Sequence, residues 1–198
     1  MTDEEPGLRA RLVATGVELV AEGGVQALTL REIARRAGVS HGAPRRHFPT
    51  HRELLSAIAR EGFGTLAARV ARAVGDEVDA AGPRERIERL AHAYLDFARD
   101  NRGMHELMFR HDLLESGQIG LREVSLPLFG VLADLVSRAG TPSGAPASTA
   151  AVALWANLHG IAQLGHGGSL RLVTGADDTG PLLRAALDAY LGPAPERR

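Results

Sequence analysis

Arginine is the residue type in this sequence whose placement most plainly implies chemistry. Between Leu28 and Leu54 stand Arg31, Arg35, Arg36, Arg45, Arg46 and Arg52 against only Glu32 and Glu53, a local balance of +4 (six minus two), with His41, His47 and His51 interleaved. The whole chain carries 23 basic and 24 acidic residues, a formal net charge of -1. The segment is therefore a basic stretch on a nearly neutral protein. Guanidinium groups at this density suit phosphate, which they bind through charge and through paired N–H donors.

Other chemistries find less support. The chain has no cysteine, so disulfides, thiolate metal sites and a thiol nucleophile are excluded. His92, His105, His111 and His166 contain no pair at helical i, i+4 spacing and no accompanying carboxylate cluster, so no metal or other cofactor is expected. No nucleophile–base spacing, phosphate loop or metal motif marks an enzyme. Trp155 and His159, at i and i+4, share one helix face. They read either as a core Trp beside a hydrogen-bonded His or as part of a pocket wall. The group Tyr94, Phe97, Met104, Met108 and Phe109 suits a core or an apolar pocket, and His105, His159 and Gln163 would be its isolated polar groups. Trp155, His159, His105, Met108 and Phe109 are the candidate ligand contacts.

These residues must be positioned by helices. Period-two alternation of β-branched and aromatic residues is absent while helical spacing recurs almost throughout, which predicts an all-α protein of about nine helices. The first runs from Leu8 to about Glu22, with Leu8, Leu12, Gly16, Leu19 and Val20 on one face and Gly23-Gly24 as its stop. Thr29 and Glu32 have capping-box spacing, and so do Thr50 and Glu53; they start the second and fourth helices. Gly38 ends the second helix, and Ser40 caps a short third one reaching about Phe48. Further on, Gly82-Pro83 opens a helix ending near Asn101–Gly103. Helices then follow over about Met104–Leu114, Ile119–Arg138 with a kink at Pro127, Thr149–Leu164 and Pro181–Leu191. Thr141–Ser148 and the Gly-rich His166–Gly175 read as loops.

Two short helices joined by a Gly-containing turn, with Leu30, Ile33, Ala34 and Val39 for the inner face, are what a helix-turn-helix needs. The second helix of such a unit enters the major groove with its N-terminal residues towards base edges. Here these are Ser40, His41, Gly42 and Ala43, small enough for close backbone approach, with Arg45, Arg46 and His47 behind them for phosphates. Arg35 and Arg36, further along the second helix, read as surface or intramolecular ion-pair residues.

The string LTLREIARRAGVSHGAPRRHFPTHRELL, Leu28 to Leu55, resembles the DNA-binding region of the TetR family of transcriptional regulators. The likeness lies in a Thr-capped helix, a Gly-Val-Ser turn, a small-residue recognition helix, His-Phe, and a capped fourth helix ending Glu-Leu-Leu. The resemblance implies DNA contacts by Thr29, Arg31, Ser40, His41, Gly42, Ala43, Arg45, Arg46, His47 and His51. Arg45 stands where the family commonly has a phosphate-touching Tyr, and His51 where it commonly has Lys. Pro44 requires the third helix to begin at or just before His41. Trp155, His159 and Gly160, within LWANLHGIAQL, resemble a subgroup of the same family marked by Trp and, four residues on, His-Gly.

The resemblance implies a three-helix DNA-binding domain over residues 1–52 and a helical effector-binding and dimerisation domain over 53–198. Its expected partners are a pseudo-palindromic double-stranded operator, a second copy of the chain and an unidentified small-molecule effector. Repression is the family habit. Activation, or a C-terminal part that only dimerises, is the alternative. The acidic start MTDEEPG lacks the basic character of a secretory signal, and the most apolar stretch, Ala147–Leu164, is interrupted by Thr149, Asn157, His159 and Gln163. A cytoplasmic protein with no membrane partner is the expectation.

Overall fold

The computed structural model describes residues 7–75, 81–142 and 144–194. The acidic start, Met1 to Pro6, and Ser143 in the Thr141–Ser148 loop lie outside them. All regular structure among the described residues is helical: two single-turn 3-10 helices, Val25–Ala27 and Gln118–Gly120, and eleven α-helices, α1 (Leu8–Gly23), α2 (Leu30–Arg36), α3 (Ala43–His47), α4 (His51–Val74), α5 (Pro83–Asp100), α6 (Arg102–Met108), α7 (His111–Ser116), α8 (Leu121–Ala139), α9 (Ala147–His166), α10 (Ser169–Thr174) and α11 (Gly180–Leu191).

Two more α-helices occur than the nine expected, and both have local causes. The stretch read as one helix over Met104–Leu114 divides at Arg110, whose backbone is extended (φ -64, ψ 122). Its guanidinium forks onto Asp112 at 3.0 and 2.8 Å, which fixes Arg110 as the residue entering α7 and holds the Asp112 carboxyl below its usual range. The other is α10, inside the expected loop after His166. It occupies the six residues without Gly or Pro between two left-handed glycines, Gly168 and Gly175, too few for a periodic signal. The helix expected from Ile119 starts at Leu121, because Ile119 itself is left-handed (φ 59). The Arg60 guanidinium donates to the Ile119 carbonyl at 2.7 Å. Helix α8 runs unbroken through Pro127.

The chain packs as two compact units. The first comprises the chain up to Thr65 together with Asn101–Ser125; the second comprises Leu66–Asp100 and Leu126 onward. The packing units do not divide at residue 52.

In the first unit, Leu12, Leu28, Ile33, Ala34, Phe48, Leu54 and Ile58 are at most 2 % exposed, so the apolar faces of α1 to α4 close over one core. Burial of each such side chain contributes about 1.5–3 kcal/mol. Close approach is built in at two glycines. A Cβ on Gly16 would run into Ile58 Cδ1, and one on Gly103 would stand 2.6 Å from the Val20 carbonyl oxygen and 2.9 Å from Gly24 Cα. In the second unit, α9 packs against α5, α10 and α11 and buries Ala150, Ala151, Leu154, Leu158 and Ile161. There Arg84 of α5 reaches the end of α11, donating to Asp188 at 2.5 Å and to the Gly192 carbonyl.

Candidate nucleic-acid interface

The basic segment is shaped by its caps. Thr29 begins α2 by accepting the Glu32 amide on its hydroxyl oxygen at 3.2 Å. The expected reciprocal contact from Glu32 is replaced. Its carboxylate instead takes two hydrogen bonds from Arg35, at 2.8 and 2.5 Å, which hold the Glu32 carboxyl below its usual range. Thr50 caps α4 in the same way, accepting the Glu53 amide at 3.2 Å, and its hydroxyl donates to the Glu53 carboxylate at 3.4 Å.

Between α2 and α3 the chain reverses at Gly38, whose φ of 68 is left-handed and favours a residue without Cβ. The Val39 amide reaches back to the Ala34 carbonyl at 3.0 Å and the Gly38 amide to Arg35 at 3.2 Å, closing the α2 C-terminus in a Schellman arrangement. The hydrogen bond from the Ala43 amide to the Ser40 carbonyl, 2.9 Å, then makes a further turn.

As a result α3 begins at Ala43, not at Ser40 or His41. Gly42 flanks it, Pro44 lies in its first turn where the missing N–H has no intrahelical partner to lose, and no side chain caps it. Ser40, His41 and Gly42 are therefore exposed residues of the turn that leads into α3.

Two kinds of arginine coexist here. Arg35 pairs with Glu32, and Arg36 with Glu22 of α1 at 2.5 and 2.7 Å, as their positions on α2 suggested. Arg31, Arg45 and Arg46 are exposed, and among the described residues none of the three has a carboxylate within ion-pair distance. His47 is exposed on α3. His51 is also exposed at residue level, yet its Nε2 lies 2.6 Å from the Leu28 carbonyl oxygen. A carbonyl only accepts, so Nε2 carries the proton and the neutral ring has no second N–H for a phosphate.

Sequence reasoning passed over Arg9, on α1. Its guanidinium carbon lies 4.9 Å from the centroid of the Phe48 ring, the residue that ends α3. The residues are 39 apart in sequence, and no local spacing signals the pair.

The five candidate ligand contacts fall into two groups. His105, Met108 and Phe109 belong to the first unit. His105 and Met108 are fully buried, and Phe109 stacks at a tilt on His105 (centroids 4.9 Å) and edge-on to Phe63 (5.6 Å).

Trp155 and His159 belong to the second unit, both half-buried, with rings stacked at 5.4 Å and Phe129 edge-on to Trp155 at 6.5 Å. Burial pushes the Tyr94 phenol pKa up, so it stays protonated. The Gln163 amide nitrogen only donates, so His159 Nε2, 3.3 Å away, accepts from it; the proton of the neutral ring is then on Nδ1, which donates to the Tyr94 hydroxyl oxygen at 2.8 Å. His166, on the same helix, lies with its Nε2 2.8 Å from the Ala98 carbonyl oxygen.

Burial, and then the nearby His166, lowers the His159 pKa from its ordinary 6.5. The ring is harder to protonate in the folded chain, so the unfolded state binds more protons just below pH 6.5. Stability is complete above that value and falls as the pH drops through it. A His159→Gln variant should show a flatter fall in urea midpoint between about pH 7.5 and about pH 5.5. Identical slopes for the two proteins would contradict the assignment.

The arrangement is a helix-turn-helix presenting exposed guanidiniums, and likeness to known proteins defines it further. Residues 12–58 match the bacterial regulatory proteins of the tetR family, and residues 87–190 match the tetracyclin repressor-like C-terminal domain; the latter range includes Trp155, His159 and Gly160. The chain belongs to the TetR family of bacterial regulatory proteins.

It is 30% identical over 105 residues to the nucleoid occlusion factor SlmA of Haemophilus influenzae, covering 52% of this chain and 47% of that protein. It is 27% identical over 132 residues to the HTH-type transcriptional activator FasR of Mycolicibacterium smegmatis, covering 66% and 59%. The chain thus spans about half the length of SlmA. A solved structure of a protein of unknown function from Rhodococcus sp. RHA1 is 33% identical, with a TM-score of 0.77 over 96% of this chain and 97% of that one. No helix among the described residues is long and apolar enough to cross a membrane.

Proposed function

We propose that the protein is a homodimeric repressor that reads a pseudo-palindromic operator through α3 and the turn before it, and is released by a small-molecule effector. One observation carries the reading: Arg31, Arg45 and Arg46 are exposed without carboxylate partners, whereas Arg35 and Arg36, a few residues away, are paired within the protein. Unpaired guanidiniums around small exposed residues at the entrance of a short helix are a surface made for a duplex. Ser40, His41, Gly42 and Ala43 approach base edges, and Arg31, Arg45 and Arg46 hold phosphates. His47 and Thr29 flank them, and His51 stands beside them at the start of α4.

A single short helix reads few bases, which is the reason for two copies about a two-fold axis. Exposed Leu126 and Val131 on α8, with Val152 and Leu164 on α9, supply apolar surface for that pairing. The effector reading rests on the half-buried Phe129, Trp155 and His159 cluster, which offers a largely apolar molecule a few orienting hydrogen bonds. An effector that prefers the released conformation a hundredfold supplies about 2.7 kcal/mol.

Light scattering should give the mass of two chains alone and of two chains on one duplex, and small apolar compounds should quench Trp155 fluorescence while weakening DNA binding. A stable monomer on a single half-site, or quenching with no change in DNA affinity, would contradict the proposal. The likeness to FasR, an activator, favours activation as the second reading. A reporter placed behind the bound promoter decides by the direction of its response to deletion of the protein.

A further inference from the structure

We infer that Arg9 of α1 is a further phosphate-binding residue of the DNA surface, held in place by the ring of Phe48. The inference rests on the proposed DNA reading and extends it to a helix outside the α2–turn–α3 unit.

Phe48 is fully buried and immediately follows Arg45, Arg46 and His47, so its position is fixed by the core, and α1 and α3 are packed together in the same unit. Arg9 lies over that ring with its guanidinium carbon 4.9 Å from the centroid, and the residue remains exposed. A cation over a π face is attracted by the ring. That attraction uses none of the acceptors a guanidinium needs, and its five N–H donors, on an exposed residue, are available to fork onto a phosphate.

Among the described residues Arg9, like Arg45 and Arg46, has no carboxylate within ion-pair distance. The stack also removes part of the rotamer freedom that a long side chain otherwise loses on binding. An aromatic residue rigidly placed at the end of a recognition helix, with an unpaired arginine laid across it from another helix, extends the row of cations from α3 onto α1. The ligand chemistry is a duplex backbone phosphate, read without sequence preference.

The test is a salt series of binding to random-sequence duplex DNA by the full-length chain, comparing wild type with Arg9→Met, Arg9→Lys and, as reference, Arg46→Ala. Methionine keeps an apolar chain over Phe48 and removes the charge. Lysine keeps the charge without the fork. Arg9→Met should weaken binding about tenfold at ~0.1 M salt and lower the salt slope by about one unit per subunit, with an unchanged thermal midpoint. Arg9→Lys should restore the slope.

An unchanged slope in Arg9→Met, with a lowered slope in Arg46→Ala, would overturn the inference and leave the DNA reading standing. A lowered midpoint with an unchanged slope would make Arg9 a packing residue only and likewise overturn it. Wild-type protein that retains no duplex at any salt would overturn both.

Discussion

Replacing Gly103 by alanine is expected to lower the thermal unfolding midpoint by roughly 5–10 °C. The added Cβ would meet backbone, 2.6 Å from the Val20 carbonyl oxygen and 2.9 Å from Gly24 Cα, and backbone cannot swing aside as a side chain does. Either α6 moves off α1 or α1 distorts near its C-terminus, and overpacking of this kind costs about 1–3 kcal/mol. At Gly16 the obstructing atoms are the outer carbons of Ile58, which a rotamer change can move, so Gly16→Ala should cost less. Gly64→Ala is the control. It lies inside α4 with nothing within 4 Å of the position an added methyl would take, and should raise stability by up to about 1 kcal/mol through helix propensity. Equal midpoints for Gly103→Ala and wild type would show that α6 does not pack on α1 as described.

The second large effect concerns DNA. Arg46→Ala should remove one phosphate contact per subunit, two per dimer. Charge-assisted hydrogen bonds contribute about 1.5–3 kcal/mol each, so affinity should fall on the order of a hundredfold or more. The loss should be the same for operator and random DNA, and the salt slope should fall by about one unit per subunit. His41→Ala should act differently. Placed in the turn before α3, it should change which base is preferred at one position of each half-site, a discrimination of about 1–3 kcal/mol. A preference altered by Arg46→Ala and unaltered by His41→Ala would reverse the two roles.

How much of the fold and the site is legible in the sequence depends on range. Thr29, Thr50 and Gly38 mark helix ends through bonds spanning a few residues, and each stands at the boundary its type implies. The pairing of Arg35 and Arg36 is legible as a class, because Glu32 lies three residues before Arg35 on the same helix, though Glu22, the partner of Arg36, comes from another helix. The start of α3 is not where Ser40 suggests. A serine is a good cap in isolation, but Pro44 and the turn closed by the Ala43 amide fix the helix two residues later than His41. The division at Arg110 follows from a side-chain fork onto Asp112, and α10 is too short to show a period.

Gly103 reads as a helix terminator and is instead an inner residue of α6, needed because another helix passes over it. Arg9 on Phe48 joins residues that only the tertiary fold brings together. Neither can be found from spacing, because a glycine or an exposed arginine has the same local signature whether or not a second helix lies against it.

The most direct test of the central claim is selection of duplexes from a random-sequence pool by the purified full-length protein. The expected result is enrichment of a pseudo-palindrome whose half-sites are centred one or more helical turns, ~34 Å, apart, with enrichment at one base position changed by His41→Ala. Recovery of DNA without any enriched sequence, or of a single asymmetric half-site, would contradict it.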